Sequence, residues 1–301
     1  MKMDTKSAFL ALIGRPNVGK SSLLNAMVGR KVAIVSDRPQ TTRTRLMGVH
    51  TVGDTQLVFL DTPGMHRPRT RLGDFMVQSI SEAMSGVDAA VLVAEPRPAI
   101  REEEQELLGQ LRQRQLPAVL VLNKIDTLKN RDALLECIAV WQEAYAFDEV
   151  YPVSALTGEG VPALEEHLRT YAFESPHFFP DDAVSDQTEQ AAAAELIREK
   201  MLLLLRDEIP HGVAVVVERM GERAGQNGPV LDIEATIFCE RESHKGIIIG
   251  KRGAMLRQIG TQAREDLERL FGVKVNLQCW VKVKEDWRNR QGLLGQFGYR
   301  T

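Results

Sequence analysis

A short segment near the amino terminus combines the residue types that bind a nucleotide phosphate. Its glycines, lysine and serine fit the pattern Gly-x-x-x-x-Gly-Lys-Ser. Glycines let backbone N–H groups approach a phosphate without a Cβ clash, the lysine can act in catalysis on the β- and γ-phosphates, and the serine hydroxyl can bind Mg²⁺. The predicted nucleotide-binding residues here are Gly14, Arg15, Pro16, Asn17, Val18, Gly19, Lys20, Ser21 and Ser22.

A second motif begins where an apolar run ends at Asp61. An aspartate at the carboxyl end of a strand beside a phosphate loop suits Mg²⁺ held through water. Gly64 can bring its N–H to the γ-phosphate and act in catalysis, and residues 65–75 are expected to form a mobile switch. The residues of this motif predicted to contact nucleotide are Asp61, Thr62, Pro63, Gly64 and Met65.

A third motif identifies the base. Guanine offers two adjacent donors, N1–H and the 2-amino group, and the carboxylate of Asp126 can accept both. Adenine has no 2-amino group and an acceptor at N1, so the same carboxylate rejects it. The base-site residues are Asn123, Lys124, Ile125 and Asp126, with Ser154 and Ala155 after the next strand.

These motifs need a common scaffold to bring them together. Each follows an apolar run, at 8–13, 57–60, 118–122 and 150–153, and such runs are typical of buried parallel strands in an α/β fold. The polar segment 36–45 is expected to be an exposed loop with a threonine as a second Mg²⁺ ligand, or else an ordinary polar turn. The acidic run 102–104 is expected only to supply negative charge at a helix N-terminus.

The C-terminal part of the chain carries an excess of positive charge. Residues 241–301 hold 13 basic and 6 acidic side chains, whereas the whole chain has a net charge of −3. This excess indicates a polyanionic partner, although a solvated surface is the alternative. Within it, Gly250, Lys251, Arg252 and Gly253 form a loop that either binds a nucleic-acid backbone or merely turns the chain.

The order of elements suggests how the chain is divided. We expect one domain over 1–172, a linker over 173–186 whose prolines break periodicity, and a second domain over 187–301. In the second domain a helix is expected over 187–208, strands over 213–218, 232–240 and 275–283, and a helix over 254–270. Trp280 and Trp287 could stack on a base, but core packing is the favoured expectation for Trp280.

The composition is that of a soluble globular protein, 44% hydrophobic and 26% charged. The sequence has no apolar run of about 18 residues and no apolar signal region at its start, so a cytoplasmic location is expected. The three cysteines are far apart, and we expect neither a disulfide nor a cysteine metal site.

The motifs together resemble the five G motifs of a Ras-like GTPase domain. The segments 14–22, 40–45 and 61–65 are similar to those of the bacterial Era GTPase family, and the loop at 250–253 resembles the GXXG loop of a type II KH domain. The resemblance implies an α/β P-loop GTPase domain with a mostly parallel sheet, followed by a smaller α+β KH domain. It also implies slow GTP hydrolysis to GDP and phosphate, with Mg²⁺ as cofactor.

The resemblance assigns three further roles. Thr42 matches the residue that binds Mg²⁺ in the GTP state, so the resemblance implies that it is catalytic. Thr41 is its neighbour and could be confused with it. Asn17 matches a ligand of K⁺ in potassium-activated GTPases, which implies K⁺ stimulation. Met65 stands where Ras-type enzymes place a water-orienting glutamine, a task that a thioether cannot perform.

The resemblance also implies the partners. These are GTP and GDP, the 3′ end region of 16S ribosomal RNA, the 30S subunit during its assembly, and the cytoplasmic membrane as a peripheral surface; DNA is not expected. The alternative is a nucleotide-gated RNA-binding or membrane-peripheral scaffold with incidental hydrolysis, which Met65 leaves open.

Overall fold

The computed structural model describes residues 5–130, 132–226 and 228–299. The chain divides into two compact units. The first contains the described residues up to 186 except 70–72, and the second contains 70–72 with those from 187 onward. Within these described ranges, no helix is long and apolar enough to cross a membrane.

The first unit is built on a seven-stranded sheet. Its central strands are apolar and buried because helices cover both faces of a parallel sheet. The strands are β1 (Lys6–Ile13), β2 (Leu46–Val52), β3 (Thr55–Asp61), β4 (Ala89–Ala94), β5 (Ala118–Leu122), β6 (Glu149–Pro152) and β7 (Phe173–Glu174). Their order is β2-β3-β1-β4-β5-β6, with β7 on β1, and only β2 and β7 are antiparallel to their neighbours. The carboxyl ends of β1, β3, β4, β5 and β6 therefore meet at one edge.

Five helices accompany this sheet. They are α1 (Lys20–Val28), α2 (Arg71–Ala83), α3 (Glu102–Arg114), α4 (Asp132–Ala144) and α5 (Val161–Leu168). Helix α1 buries Leu23, Leu24 and Met27, whose spacing of three to four residues places them on one face. This face packs into the core and fixes the N-terminus of α1 directly after the phosphate loop.

Residues 173–186 lie along the first unit. The side chain of Gln56 accepts hydrogen bonds from the backbone N–H groups of Phe178 and Phe179, at 2.9 and 3.0 Å. Further on, Val184 accepts a backbone hydrogen bond from Val49 at 2.9 Å, on the outer edge of β2. The segment is thus held by its own backbone groups on the surface of the first unit.

The second unit has the element order α-β-β-α-α-β followed by one short helix. The elements are α6 (Glu189–Leu204), β8 (Ala214–Gly225), β9 (Gly228–Cys239), α7 (Glu242–Ile249), α8 (Ala254–Phe271), β10 (Lys274–Val283) and α9 (Gln291–Gln296). The sheet order is β10-β9-β8, with β10 parallel to β9 and β8 antiparallel to it. The expected combination of an α/β unit with a mostly parallel sheet and a smaller α+β unit is confirmed.

Some bounds in the second unit differ from the expectation. Helix α6 ends at Leu204 rather than at residue 208, since the chain turns beyond it and Asp207 has a φ of 53°. Strands β8 and β9 are longer than expected because charged residues from Glu218 onward belong to an exposed β-hairpin.

The expectation for Trp280 is wrong. On β10, Leu277 and Cys279 pack into the core, so the alternate residues, Gln278 and Trp280, point to the opposite face. The side chain of Trp280 is 44% exposed. Trp287, by contrast, is fully buried and donates its indole N–H to the carbonyl of Gly212 at 2.9 Å. All three cysteines are free thiols.

Candidate nucleotide site and nucleic-acid interface

The phosphate loop joins β1 to α1 in a conformation that only glycine allows at two positions. Gly14 has a φ of 150°, and a Cβ there would lie 2.3 Å from the carbonyl oxygen of Val93. Gly19 has a φ of 96°, and a Cβ there would lie 2.2 Å from Nδ2 of Asn123. The residues between them, together with Ser21 and Ser22 in the first turn of α1, surround the N-terminus of that helix. The loop therefore presents N–H groups and a helix dipole to an anion.

Lys20 is a buried cation whose ammonium is hydrogen-bonded to backbone carbonyl groups. Its ammonium donates to the backbone oxygens of Gly14 and Arg15, at 3.2 and 3.0 Å. Burial lowers the pKa of Lys20 to about 8, although the nearby Asp61 carboxylate opposes this shift. A bound phosphate would add negative charge beside the lysine and would raise its pKa again.

Three oxygen-bearing side chains meet beside the loop. The hydroxyl of Ser21 donates to Oδ2 of Asp61 at 2.7 Å and lies 2.9 Å from the hydroxyl of Thr42. Thr42 itself is 3.5 Å from the same carboxylate oxygen. Thr41 instead bonds to the hydroxyl of Ser36 and to the carbonyl of Arg38. Of the two neighbouring threonines, Thr42 is thus the one that shares a site with Ser21 and Asp61.

The surroundings of Asp61 fit a divalent cation. The carboxyl is completely buried, and its Oδ1 has no hydrogen-bond partner in the described part of the chain. Burial raises the pKa of Asp61, against the opposing effects of Lys20 and the Ser21 hydroxyl. A hard cation with oxygen ligands, such as Mg²⁺, would use the unpartnered oxygen and stabilise the carboxylate.

The segment after Asp61 is tied to the phosphate loop. Thr62 donates its hydroxyl to the carbonyl of Leu12 at 2.7 Å, and Met65 donates its N–H to the carbonyl of Gly14 at 3.0 Å. A Cβ on Gly64 would lie 2.4 Å from the nitrogen of Pro16, so only glycine fits this approach. Pro63 is buried, and the Met65 side chain is 1% exposed within the core. The thioether is therefore turned away from the phosphate site.

The base-site residues form one network. Asn123 donates to the carbonyl of Val18 at 2.9 Å and accepts from the N–H of Ala155 at 3.0 Å. It therefore joins the phosphate loop to the loop after β6. Ser154 donates its hydroxyl to Oδ1 of Asp126 at 2.6 Å, which fixes the orientation of the carboxylate.

This network opens onto a cavity of about 510 Å³. Lys124, Asp126 and Ala155 are among its lining residues. Ile125 is half-buried behind them and donates its N–H to the carbonyl of Val153 at 3.2 Å. The cavity presents a carboxylate in a fixed orientation, as recognition of two adjacent donors requires.

Asn17 connects the phosphate loop to the 36–45 loop. Its backbone has a φ of 63°, and its Nδ2 donates to the carbonyl of Asp37 at 2.7 Å. The amide of Asn17 and the carbonyl of Asp37 thus lie side by side, and both kinds of oxygen can bind a hard cation.

Two contacts that support the site were not predicted from the sequence. Glu95, the residue after β4, forms an ion pair with Lys124 at 2.8 Å, and Lys124 also donates to the carbonyl of Asn17. Arg15 lies 3.7 Å from Glu104 and 3.8 Å from Glu103. The acidic run therefore contacts the phosphate loop, and the expectation that it only supplies helix-terminal charge is wrong. Glu95 follows directly after the end of a strand, as the predicted motifs do, and this position was the signal by which it could have been found.

The loop Gly250–Gly253 lies in the second unit, between α7 and α8. Gly250 has a φ of 72°, and a Cβ there would lie 2.7 Å from Cβ of Met255. Gly253 has a φ of 78°, and a Cβ there would meet open space. Another molecule can therefore approach the backbone of Gly253 closely. Lys251 and Arg252 are exposed at the tip. Next to the loop, a groove of about 370 Å³ runs between α8 and β10.

Two protein families match the two units. Residues 9–124 match the family described as 50S ribosome-binding GTPase, and residues 208–288 match the KH domain family. The chain is 48% identical to GTPase Era of Clostridioides difficile, over 98% of both chains. It is 46% identical to GTPase Era of Ruminiclostridium cellulolyticum, over 99% of both chains.

Two solved structures of Era are also similar to this chain over nearly its whole length. The chain superposes on a variant of Aquifex aeolicus Era bound to GDP and AlF4⁻, with 35% identity and a TM-score of 0.94. The same values hold for Era in complex with MgGDPNP and nucleotides 1506–1542 of 16S ribosomal RNA. Each superposition covers 99% of this chain and 100% of the other.

Proposed function

The chain belongs to the GTPase Era family, and from this premise we propose that it is a GTP-hydrolysing switch that binds the 3′ end region of 16S ribosomal RNA and assists assembly of the 30S subunit. GTP hydrolysis to GDP and phosphate is the activity of the family. The observation that carries the proposal is that one chain holds both sites. A phosphate-binding type of loop beside an oriented carboxylate, Asp126, lies in the first unit, and a glycine-framed basic loop lies in the second.

The site residues take the following proposed roles. Lys20 contacts the β- and γ-phosphates, and Gly64 contacts the γ-phosphate through its N–H. Ser21 and Thr42 would hold Mg²⁺ directly, and Asp61 would hold it through water, because their oxygens lie within hydrogen-bond distance of one another. Mg²⁺, when bound, neutralises charge that develops on the phosphate oxygens. Thr42 serves only the GTP state, since it lies on the 36–45 loop, which the γ-phosphate and its Mg²⁺ would order.

A potassium ion would stabilise the negative charge that develops during hydrolysis, in an enzyme where Met65 replaces the water-orienting glutamine. We place it at Asn17, whose amide lies against the carbonyl of Asp37. The buried thioether of Met65 has no group that orients water, so intrinsic hydrolysis is slow without this cation. The same observation favours the second candidate function, a nucleotide-gated RNA-binding or membrane-peripheral scaffold in which hydrolysis is incidental.

The RNA site is proposed at Gly250, Lys251, Arg252 and Gly253. A glycine-framed loop with two exposed cations can approach about four nucleotides of a single strand by their backbone. The matched GTPase family is described as 50S ribosome-binding, but that match covers only residues 9–124, which do not include this loop. The Era complex, which matches nearly all of the chain, contains 16S RNA and therefore favours the small subunit.

The proposal also includes the limits of the two domains and the cellular location of the protein. The GTPase domain spans 1–172, the linker 173–186 and the KH domain 187–301; the division between the two units after Asp186 supports the start of the KH domain. The chain acts in the cytoplasm, with a peripheral association at the inner face of the cell membrane as a further location. No DNA partner is proposed.

Phosphate release, measured with and without the 16S RNA fragment, tests the proposed function. A switch coupled to RNA shows faster release in the presence of the fragment, and Lys20→Ala abolishes both rates because the phosphate contact is lost. An RNA-independent rate in a chain that does bind the RNA supports the scaffold instead.

A further inference from the structure

One face of the sheet of the second unit is opposite to the face on which α6, α7 and α8 pack. Phe297 covers this face at Phe238. Alternate residues of β10 share this face, because side chains of a strand point to opposite sides in turn. We call them the Trp280 row: Lys274, Asn276, Gln278, Trp280 and Lys282. The row contains two cations, two amides and one indole ring, and no carboxylate.

Trp280 is the exposed member of the three tryptophans. It is 44% exposed, whereas Trp141 and Trp287 are 1% and 0% exposed. Leaving a large aromatic ring in water forfeits the stabilisation that its burial would give. A flat ring beside hydrogen-bonding amides is the kind of surface on which unpaired bases stack.

Two carboxylates on this face, those of Asp232 and Glu234, have basic residues as neighbours. Asp232 accepts from Nδ2 of Asn276 at 2.8 Å and from Nε of Arg223 at 2.6 Å, and the hydrogen bond with Asn276 is the main reason that its pKa is lowered. Glu234 lies opposite Arg219 in the strand register. These residues border a hollow of about 350 Å³ that also includes Gln278. The carboxylates of Asp232 and Glu234 therefore lie beside arginines. Of the two cations of the row, Lys274 lies 3.6 Å from Glu268, whereas Lys282 is exposed and can face an anion.

The Trp280 row is continuous with the proposed RNA loop. Strand β10 is an edge strand, and its core-facing residues Leu277 and Cys279 line the groove that Gly253 also borders. Gln278 and Trp280 lie on the other face of the same strand. A nucleic-acid strand that follows the groove from the loop reaches the row by crossing the free edge of β10.

We propose that the Trp280 row is a second RNA contact, in which an unpaired base stacks on Trp280 and the adjacent phosphates face Lys282. This proposal rests on the proposed function. A GXXG loop clamps only about four nucleotides, whereas the RNA in the solved Era complex comprises nucleotides 1506–1542. Longer RNA therefore needs surface beyond the loop, and the row supplies stacking, hydrogen-bond donors and positive charge along one strand.

The test compares the full-length protein with Trp280→Ala and Trp280→Phe. The probe is RNA with the sequence of nucleotides 1506–1542 of 16S ribosomal RNA, titrated by filter binding. We expect Trp280→Ala to weaken binding roughly tenfold, because loss of one base–aromatic stack has about this effect. Trp280→Phe retains a ring and stays within about threefold of the wild type. Phe173→Ala, which removes an aromatic ring that is 53% exposed in the first unit, is the matched control and leaves RNA affinity unchanged.

Fluorescence gives a second measurement on the same samples. Acrylamide quenching reports mainly on Trp280, since the other two tryptophans are buried. RNA is expected to protect wild-type fluorescence from acrylamide and to have no such effect in Trp280→Phe. Unchanged affinity of Trp280→Ala, with no protection in the wild type, overturns the proposal and leaves the face to a protein partner. If wild-type protein does not bind the RNA at all, the proposed function fails together with this inference.

Discussion

The proposed nucleotide site and the proposed RNA loop differ in how they present their positive charges. In the first unit Lys20 and Asp61 are buried, and their surroundings shift both pKa values towards the neutral forms. In the second unit Lys251 and Arg252 lie on an exposed tip. A buried site gains specificity from fixed partners and is little affected by salt, whereas an exposed loop gains affinity from charge that salt screens.

The largest expected effect concerns the carboxylate that reads the base. Asp126→Asn replaces an acceptor of two donors with a group that offers only one acceptor atom, so GTP affinity should fall roughly a hundredfold, or about 3 kcal/mol. Xanthosine triphosphate should bind better than GTP, because its 2-oxo group accepts from the new amide. Competition binding with both nucleotides measures this; unchanged GTP affinity would remove Asp126 from base recognition.

A smaller effect is expected from the cation beside Asn17. Hydrolysis should be about tenfold faster in KCl than in NaCl at equal ionic strength, which corresponds to about 1.4 kcal/mol of transition-state stabilisation. Asn17→Ala should abolish the difference between the two salts, because it removes the proposed ligand next to the carbonyl of Asp37. Equal wild-type rates in both salts would contradict a potassium site.

The smallest effect in the first unit concerns Glu95. Burial would raise the pKa of this carboxyl, but the hydrogen bond and charge of Lys124 lower it, so the pair is ionised and holds Lys124 in place. Glu95→Gln should weaken GTP binding about threefold, because Lys124 is 36% exposed and solvent screens the pair. Glu166→Gln, whose exposed carboxylate pairs with Arg169 at the end of α5, is the control and should leave affinity unchanged.

The arrangement of the first unit could be predicted from sequence because its predicted nucleotide-binding motifs follow directly after the ends of strands. Continuous apolar runs identify buried parallel strands, and each motif begins where a run stops. The contacts of Arg15 with Glu103 and Glu104 could not be predicted, since they join segments about ninety residues apart. No local pattern reports such a pairing.

In the second unit, the face of the sheet that is buried was harder to predict from the sequence. A three-stranded sheet with helices on one face has half-buried strands, and alternation alone does not tell which face is covered. Trp280 was expected in the core because tryptophan is mostly buried, yet its register on β10 places it opposite Leu277 and Cys279. The glycine-framed loop was predictable because its glycines and cations are adjacent in sequence.

A titration of RNA binding against salt tests the contrast between the two sites most directly. The protein with Lys251→Ala and Arg252→Ala together is compared with the wild type, using the 16S RNA fragment at several KCl concentrations and GTP affinity in parallel. We predict weaker RNA binding, a log–log salt slope reduced by about 0.7 for each lost phosphate contact, and unchanged GTP affinity. An unchanged RNA affinity and slope, or a loss of GTP binding of similar size, would contradict two separate phosphate-binding sites.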